Sequence, residues 1–483
     1  MDDSNNYSLV KQIGFVAGPL TFIVLTASIS PEFISPQAGK VLAVASWMII
    51  WWIAEAAPVP ITALLPLIVF PFLGIMNMSE AAAPYANPII FLFMGGFMIA
   101  LALEKHRLHE RIALNLVRIT GTSGNGIILG FTIATAFISM WISNTATAMM
   151  MLPIALSVIN LLRRKTDTVT IGERNFGIAL MLVIAYAANI GGTATIIGTP
   201  PNVVLVGLLD QFTHQKIPFG KWILVGLPLS AATIGLGYWV ITRFIFPNKL
   251  KEIEGADALI KNRLTDMGPM RREEKLVLTI FTLTSLLWIF QQPLNLLLGN
   301  NFLNDTNIGM AGGTLMFIVP ASFKHFRFLL VWKDTEKLSW GILILFGGGL
   351  CLAQGLSSAG IIQAVGSYIA QQSQSVNWLL FGLIVASIFI TELMSNVALV
   401  QIFIPVVFGI ATNLGIDPIL LGMPVAFGAS MAFMLPVATP PNAIVFSSGH
   451  MKVKDMMKAG FVMNILAVIL IYMGAKLLIP LIL

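Results

Sequence analysis

The chain has 483 residues, of which 57% are hydrophobic and only 10% charged, with 28 Lys+Arg against 22 Asp+Glu. A soluble domain wets its surface with about 25% charged residues, so this composition excludes one, together with the fibrous, disordered and disulfide-stapled classes. The single cysteine, Cys351, excludes an intrachain disulfide and a cysteine metal cluster, and the basic balance reads as charge gathered on one membrane face rather than a nucleic-acid footprint.

A helix needs about 20 apolar residues to cross the hydrocarbon. Such segments predict full spans near 12–30, 40–57, 61–76, 87–103, 176–210, 222–246, 276–299, 308–323, 339–357, 418–450 and 460–482. Asp2 and Asp3 stand where a secretory signal carries positive charge, and no cleavage site is clear, so 12–30 reads as a retained span within an N-terminal unit, 1–39. Two apolar pairs remain, 125–142 with 145–162 and 377–394 with 398–413. A polar triplet interrupts each pair, which predicts two re-entrant hairpins.

Orientation follows from basic residues counted loop by loop. With the N-terminus inside and each hairpin returning to its own side, the cytoplasmic segments hold Lys11; Lys105, Arg107, Arg111 and Arg118; Arg163, Arg164, Lys165 and Arg174; eight between Arg243 and Lys275; Lys324, Arg327, Lys333 and Lys337; and Lys452, Lys454 and Lys458. Only Lys40, Lys216, Lys221 and Lys476 fall outside, so 24 of 28 lie inside and the C-terminus is expected outside.

The chain also repeats itself. Phe-Met-Gly-Gly at 93–96 is echoed by Phe-Gly-Gly-Gly at 346–349, and Ser143-Asn144-Thr145 by Ser395-Asn396-Val397, at offsets of 253 and 252 residues. Thr199-Pro200-Pro201-Asn202 recurs as Thr439-Pro440-Pro441-Asn442 at an offset of 240. Repeat 1 is placed at 40–246, with a cytoplasmic-side hairpin over 125–162 and a broken helix over 176–210. A basic cytoplasmic linker, 247–275, leads to repeat 2 at 276–483, with an outer-side hairpin over 377–413 and a broken helix over 418–450. Each repeat has five spans, an odd number, so the second runs through the membrane upside down. The expected fold is an all-α polytopic membrane protein of about 11 transmembrane helices plus two re-entrant hairpins in two inverted-topology repeats, a build common among secondary transporters.

Non-helical backbone at membrane depth is tolerated only where protein or a water-filled cavity satisfies it. A double proline ends one half-helix and is well placed to start another. Half-helices beginning near Thr145, Asn202, Val397 and Asn442 would aim positive N-terminal ends at the centre, which suits an anion. Those ending near Ile142, Gly198, Met394 and Ala438 would offer free carbonyls, which suit Na⁺. The predicted cores of the hairpins and broken helices hold no Lys or Arg.

Blander readings exist for each feature. A lone Ser-Asn inside a membrane helix most often only bonds a neighbouring helix; two copies in register with a whole-chain duplication reverse that balance. The glycine runs at 95–96 and 347–349 read as close helix packing. Glu55 and Glu392 are the notable membrane-embedded acids, each a proton carrier or a buried scaffold carboxylate. Glu392 reads as scaffold, and Glu55, near a membrane face, is open between the two roles. His106 and His109 lie on an amphipathic stretch, Glu104 to Arg118, and read as solvated. No zinc-protease, phosphate-loop or nucleophile-elbow signature is present, so no enzyme is expected and gradients would supply the energy.

The paired Ser-Asn tips, the paired Thr-Pro-Pro-Asn breaks and the run Phe433-Met434-Leu435-Pro436-Val437-Ala438-Thr439-Pro440-Pro441-Asn442-Ala443-Ile444 resemble the divalent anion/Na⁺ symporters over essentially the whole chain. That resemblance implies Na⁺ ligands at Ser139, Ser143, Asn144 and the Gly198 carbonyl, and again at Thr391, Ser395, Asn396 and the Ala438 carbonyl. It implies that substrate carboxylates meet Ser143, Asn144 and Thr145 on one side and Ser395, Asn396, Thr439 and Pro440 on the other. Val397 departs from the commoner Thr and bears on which diacid is preferred. The resemblance further implies a lipid-embedded homodimer in the cytoplasmic membrane, moving a rigid transport domain in an elevator motion. The expected function is Na⁺-coupled symport of dicarboxylates such as succinate, malate, fumarate or 2-oxoglutarate, without an organic cofactor. A Na⁺-independent dicarboxylate exchanger and, further off, a membrane-embedded enzyme or sensor are the alternatives.

Overall fold

A computed structural model describes residues 8–28, 35–163, 170–372 and 375–482; Asp2, Asp3, Arg164 and Lys165, used above for topology, lie outside the described residues. Apart from a two-stranded ribbon, Pro320–Ser322 with Arg327–Phe328, the regular structure described is helical. Nine helices among the described residues are long and apolar enough to cross a membrane, and they include the second arms of both hairpins. The chain is an all-α polytopic membrane protein.

The hairpins fold as Gly124–Ser139 with Asn144–Arg163, and Val376–Ile390 with Asn396–Asn413. Each is preceded by an amphipathic helix, Leu108–Ile119 and Ile361–Gln372; the second has no counterpart in the sequence reading. The axis of the molecule is Ile171–Gly192, whose residues from Phe176 onward are all buried. It packs on both arms of the first hairpin and on Pro440–Ser447 of the second half.

Three expected spans are not single long helices. Span 61–76 is two short helices, Val59–Thr62 and Leu65–Phe72, divided among Pro58, Pro60, Pro66 and Pro71. Span 276–299 bends by 73° after Ile289, ahead of Pro293. Span 308–323 is the helix Asp305–Ile318, ending ahead of Pro320 and the ribbon. The two segments read as broken helices are Ile171–Gly192 followed by Pro200–Thr213, and Pro418–Ala429 followed by Pro440–Ser447. The linker is not bare loop, because it holds the helix Ala256–Asp266.

The glycine runs do pack helices. A Cβ at Gly95 would run into the backbone of Gly309, and one at Gly348 into the Ala63 carbonyl, so each permits backbone contact that a side chain forbids. Glu55 is not an isolated acid: its side chain, 66% exposed in the protein, pairs with Lys11 at 3.2 Å. The histidines are not simply solvated either. His106 Nε2 lies 2.9 Å from the Leu329 carbonyl and His109 Nδ1 3.0 Å from that of Leu103. Burial lowers the His109 pKa, against the opposing pull of its backbone partner.

Candidate functional site

Each hairpin tip places a hydroxyl five residues ahead of an asparagine, across a turn that helical geometry alone would not close. Ser139 Oγ, fully buried, lies 2.8 Å from Asn144 Oδ1 and 2.7 Å from the Ala188 carbonyl. Thr391 Oγ1, also fully buried, lies 2.7 Å from Asn396 Oδ1 and 2.7 Å from the Ala429 carbonyl. Ala429 ends Pro418–Ala429, where carbonyls lose their helical partners, and Ala188 lies one residue ahead of the last four of Ile171–Gly192. Each hydroxyl carries one proton for two acceptors, so three oxygens converge with lone pairs to spare. That donor set suits a small hard cation.

The breaks are wider than the Thr-Pro-Pro-Asn motif suggests. The helix carbonyl ends are Gly192 and Ala429, not Gly198 and Ala438, and the next helices begin at Pro200 and Pro440, two residues before the asparagines. Thr199 and Thr439 are extended, with φ of −144° and −143°, as a residue before proline must leave the helical region. The motif asparagines satisfy their own breaks. Asn202 Nδ2 donates to the carbonyls of Gly192 at 3.2 Å and Thr195 at 2.8 Å; Asn442 Nδ2 donates to those of Ala432 at 3.1 Å and Leu435 at 3.0 Å. The first break also closes on its tip. A Cβ on Gly192 would stand 2.6 Å from Asn144 Oδ1 and 3.0 Å from the Gly198 carbonyl, so this bare Cα lets the two oxygens share one hollow.

The second break is held by Glu392, which is 4% exposed. Its carboxylate accepts from the backbone N–H groups of Phe433 at 2.7 Å, Met434 at 3.0 Å and Leu435 at 3.3 Å, and from Asn464 Nδ2 at 2.9 Å. This is the scaffold role. The first half uses a hydroxyl instead, Thr195 Oγ1 donating to the Met140 carbonyl at 2.5 Å.

A bond across the halves joins these parts. Asn189, buried in the axial helix, directs Nδ2 at the Thr439 hydroxyl at 3.1 Å, the Ala432 carbonyl at 3.2 Å and Asn442 Oδ1 at 3.4 Å. Sequence reading missed Asn189 because it has no duplicate. The available signal was one amide in the otherwise apolar run 183–190.

Of the sequence-selected residues, contacts thus unite Ser139 and Asn144, unite Thr391 and Asn396, and tie Thr439 to the first half, while the Gly198 carbonyl and Asn144 Oδ1 both border Gly192. Ser143 Oγ accepts from Ala146 N at 3.3 Å and stays local. Among the described residues, Thr145, Ser395, Ala438 and Pro440 make no side-chain bond to the others. The tip side chains Ser143, Asn144, Thr145, Ser395, Asn396 and Val397 are half-buried, and Pro440 is exposed beside Val437, which is 85% exposed. Two cavities of about 500 and 590 Å³, against 83–92, 206–218, 304–310 and 354–358, include none of these residues. No cluster of His, Cys, Asp and Glu among the described residues is suited to a metal.

Residues 10–483 match the family described as the sodium:sulfate symporter transmembrane region. The chain is 38% identical over 486 residues to a sodium-dependent dicarboxylate transporter, SdcS, of Staphylococcus saprophyticus, covering 99% of this chain and 93% of the relative. It is 39% identical over 490 residues to the protein of that name in Staphylococcus aureus, with the same coverage. Its fold is similar to the crystal structure of the Alcanivorax borkumensis YdaH transporter, with a TM-score of 0.56 at 13% identity, over 83% of this chain and 88% of that one.

Proposed function

The chain belongs to the sodium:sulfate symporter family, and from that premise we propose that it is a Na⁺-coupled symporter of dicarboxylates in the cytoplasmic membrane. It is a transporter, not an enzyme. The activity for which the relatives are named, sodium-dependent dicarboxylate transport, supports the cargo. The observation that carries the coupling is the duplicated oxygen cluster, Ser139 with Asn144 and Ala188, and Thr391 with Asn396 and Ala429. One Na⁺ would sit at each cluster, completed by Ser143 and the Gly198 carbonyl in the first and by Ser395 and the Ala438 carbonyl in the second.

The diacid would lie between the tips, one carboxylate toward Ser143, Asn144 and Thr145 and the other toward Ser395, Asn396, Thr439 and Pro440, with Val397 on its flank. Four helix N-termini, at Asn144, Pro200, Asn396 and Pro440, give the region positive partial charge without a basic side chain. Na⁺ adjoining the same amides supplies the remaining counter-charge. Substrate affinity therefore depends on Na⁺, and a partly loaded carrier keeps an unbalanced charge that resists crossing. Repeats related by inversion, an inside N-terminus, a homodimer in lipid and an elevator motion complete the reading.

The test is uptake of labelled succinate into proteoliposomes that hold no internal diacid. Uptake driven by an inward Na⁺ gradient, inhibited by malate or fumarate, is the expected result. A strict need for internal diacid makes the protein an exchanger, and inhibition by sulfate but not by diacids moves the cargo to an inorganic dianion.

A further inference from the structure

The ribbon between Asp305–Ile318 and Trp340–Ser358 has two faces of different chemistry. Its inner side is fixed: Leu329 and Leu330 are buried, and Leu330 N donates to the Met316 carbonyl at 2.9 Å. The Leu329 carbonyl meets His106 at 2.9 Å, and Asp334 pairs with Lys105 at 2.6 Å. Its outer side alternates aromatic and basic residues, Phe323-Lys324-His325-Phe326-Arg327-Phe328, followed by Trp332 and Lys333, and all eight are exposed. Phe323 is 66%, Phe326 78% and Trp332 73% exposed. Arg272, from the neighbouring helix, places its guanidinium 5.7 Å over the Phe323 ring.

Phe326 sharpens the pattern. It takes φ of +46°, a left-handed turn position that suits glycine or asparagine and strains a bulky side chain. A large ring is thus held outward at a conformational cost, at the tip of an element whose other side is anchored. Rings this exposed form an apolar patch that water does not favour. The basic groups between them exclude burial in hydrocarbon. Ring and cation are accommodated together at the headgroup layer, where aromatic side chains settle and an anionic leaflet attracts Lys and Arg. Charge complementarity selects the lipid: segment 320–337 has Lys324, Arg327, Lys333 and Lys337 against two acids, of which Asp334 is neutralised by Lys105, leaving Glu336.

We infer that the outer face of 323–333 is a docking surface for the headgroups of anionic phospholipids. It holds the protein at a set depth on the side where its basic segments gather. It is independent of the transported species, since it shares no residue with the tips or breaks.

Trp332 reports on the surface directly. The full-length protein is reconstituted in phosphatidylcholine vesicles doped with brominated phosphatidylglycerol or brominated phosphatidylcholine, and the Trp332 signal is isolated by subtracting that of Trp332→Phe. Brominated phosphatidylglycerol should quench it more strongly at equal mole fraction, with a preference that shrinks as salt rises. Lys324→Gln with Arg327→Gln should reduce that preference by about fivefold per residue, the equivalent of about 1 kcal/mol each. Lys261→Gln, on the exposed linker helix, should leave it unchanged, and an unaltered thermal unfolding profile verifies that the double variant is folded. Equal quenching by both lipids overturns the inference, as does a preference that survives the double substitution. Protection of Trp332 from both would mean that protein covers this face, and overturns it too.

Discussion

Replacing Glu392 by glutamine separates a scaffold carboxylate from a proton carrier. Oε1 accepts from Phe433 N at 2.7 Å, Met434 N at 3.0 Å and Asn464 Nδ2 at 2.9 Å, while Oε2 accepts from Met434 N at 3.0 Å and Leu435 N at 3.3 Å. Glutamine keeps one acceptor and turns an NH₂ group toward the Leu435 N–H, donor against donor. A buried N–H without an acceptor costs about 1–3 kcal/mol, and bonds to a neutral acceptor are weaker by about 1 kcal/mol each than bonds to a charged one. With three bonds weakened and one N–H orphaned the sum is about 4–6 kcal/mol, or about 1,000-fold or more in an equilibrium constant. It falls on 433–435, the backbone that leads into Thr439 and Pro440. The half-saturating succinate and Na⁺ concentrations in proteoliposome uptake should both rise, by up to about 1,000-fold, and the purified protein should unfold at a lower temperature. Wild-type affinity with wild-type melting refutes the reasoning. So does a variant that keeps its affinity and loses only the pH dependence of uptake, since that is how a proton carrier behaves.

Ser143→Ala and Asn144→Ala should each abolish uptake with expression intact, because each removes a proposed substrate contact and a proposed Na⁺ ligand; near-normal uptake by both would move the site elsewhere. Val397→Thr should alter the ranking of succinate, malate, fumarate and 2-oxoglutarate in competition assays more than it alters melting, since Val397 is only half-buried; unchanged selectivity removes it as a specificity position. Asn189→Ala deletes the amide's contacts with Thr439, the Ala432 carbonyl and Asn442 Oδ1 and leaves the last short of a donor, a loss of about 2 kcal/mol. It should raise the succinate half-saturation by about tenfold or more, with Asn189→Ser recovering part of it. An Asn189→Ala protein with unchanged half-saturation would make this amide a packing element only.

Local chemistry made much of the molecule legible. Scarcity of charge fixed the solvent as lipid. Polar triplets inside apolar pairs located the helix interruptions between Ser139 and Asn144 and between Ile390 and Asn396, and the double prolines located both restarts. Glu392 was readable as scaffold from its place three residues before Ser395. Reading failed where spans were counted by apolar length alone. Prolines at 58–71, Pro293 and Pro320 shorten or bend segments that hydropathy treats as continuous. The partner of Glu55 was not legible, because Lys11 lies on another helix 44 positions away.

What the sequence determined alone was the set of interruptions and their duplication, because a polar group or a proline inside an apolar run has a local cost that any fold must answer. Which atoms answer it was decided by tertiary structure. The carbonyls of Ala188 and Ala429 carry no side-chain signature and join the oxygen clusters only because Ser139 and Thr391 reach them from other helices. Asn189 meets Thr439 across 250 positions of chain. A hydrogen bond is short and directional, so a partner that distant leaves no periodicity to read, and only the folded arrangement reveals it.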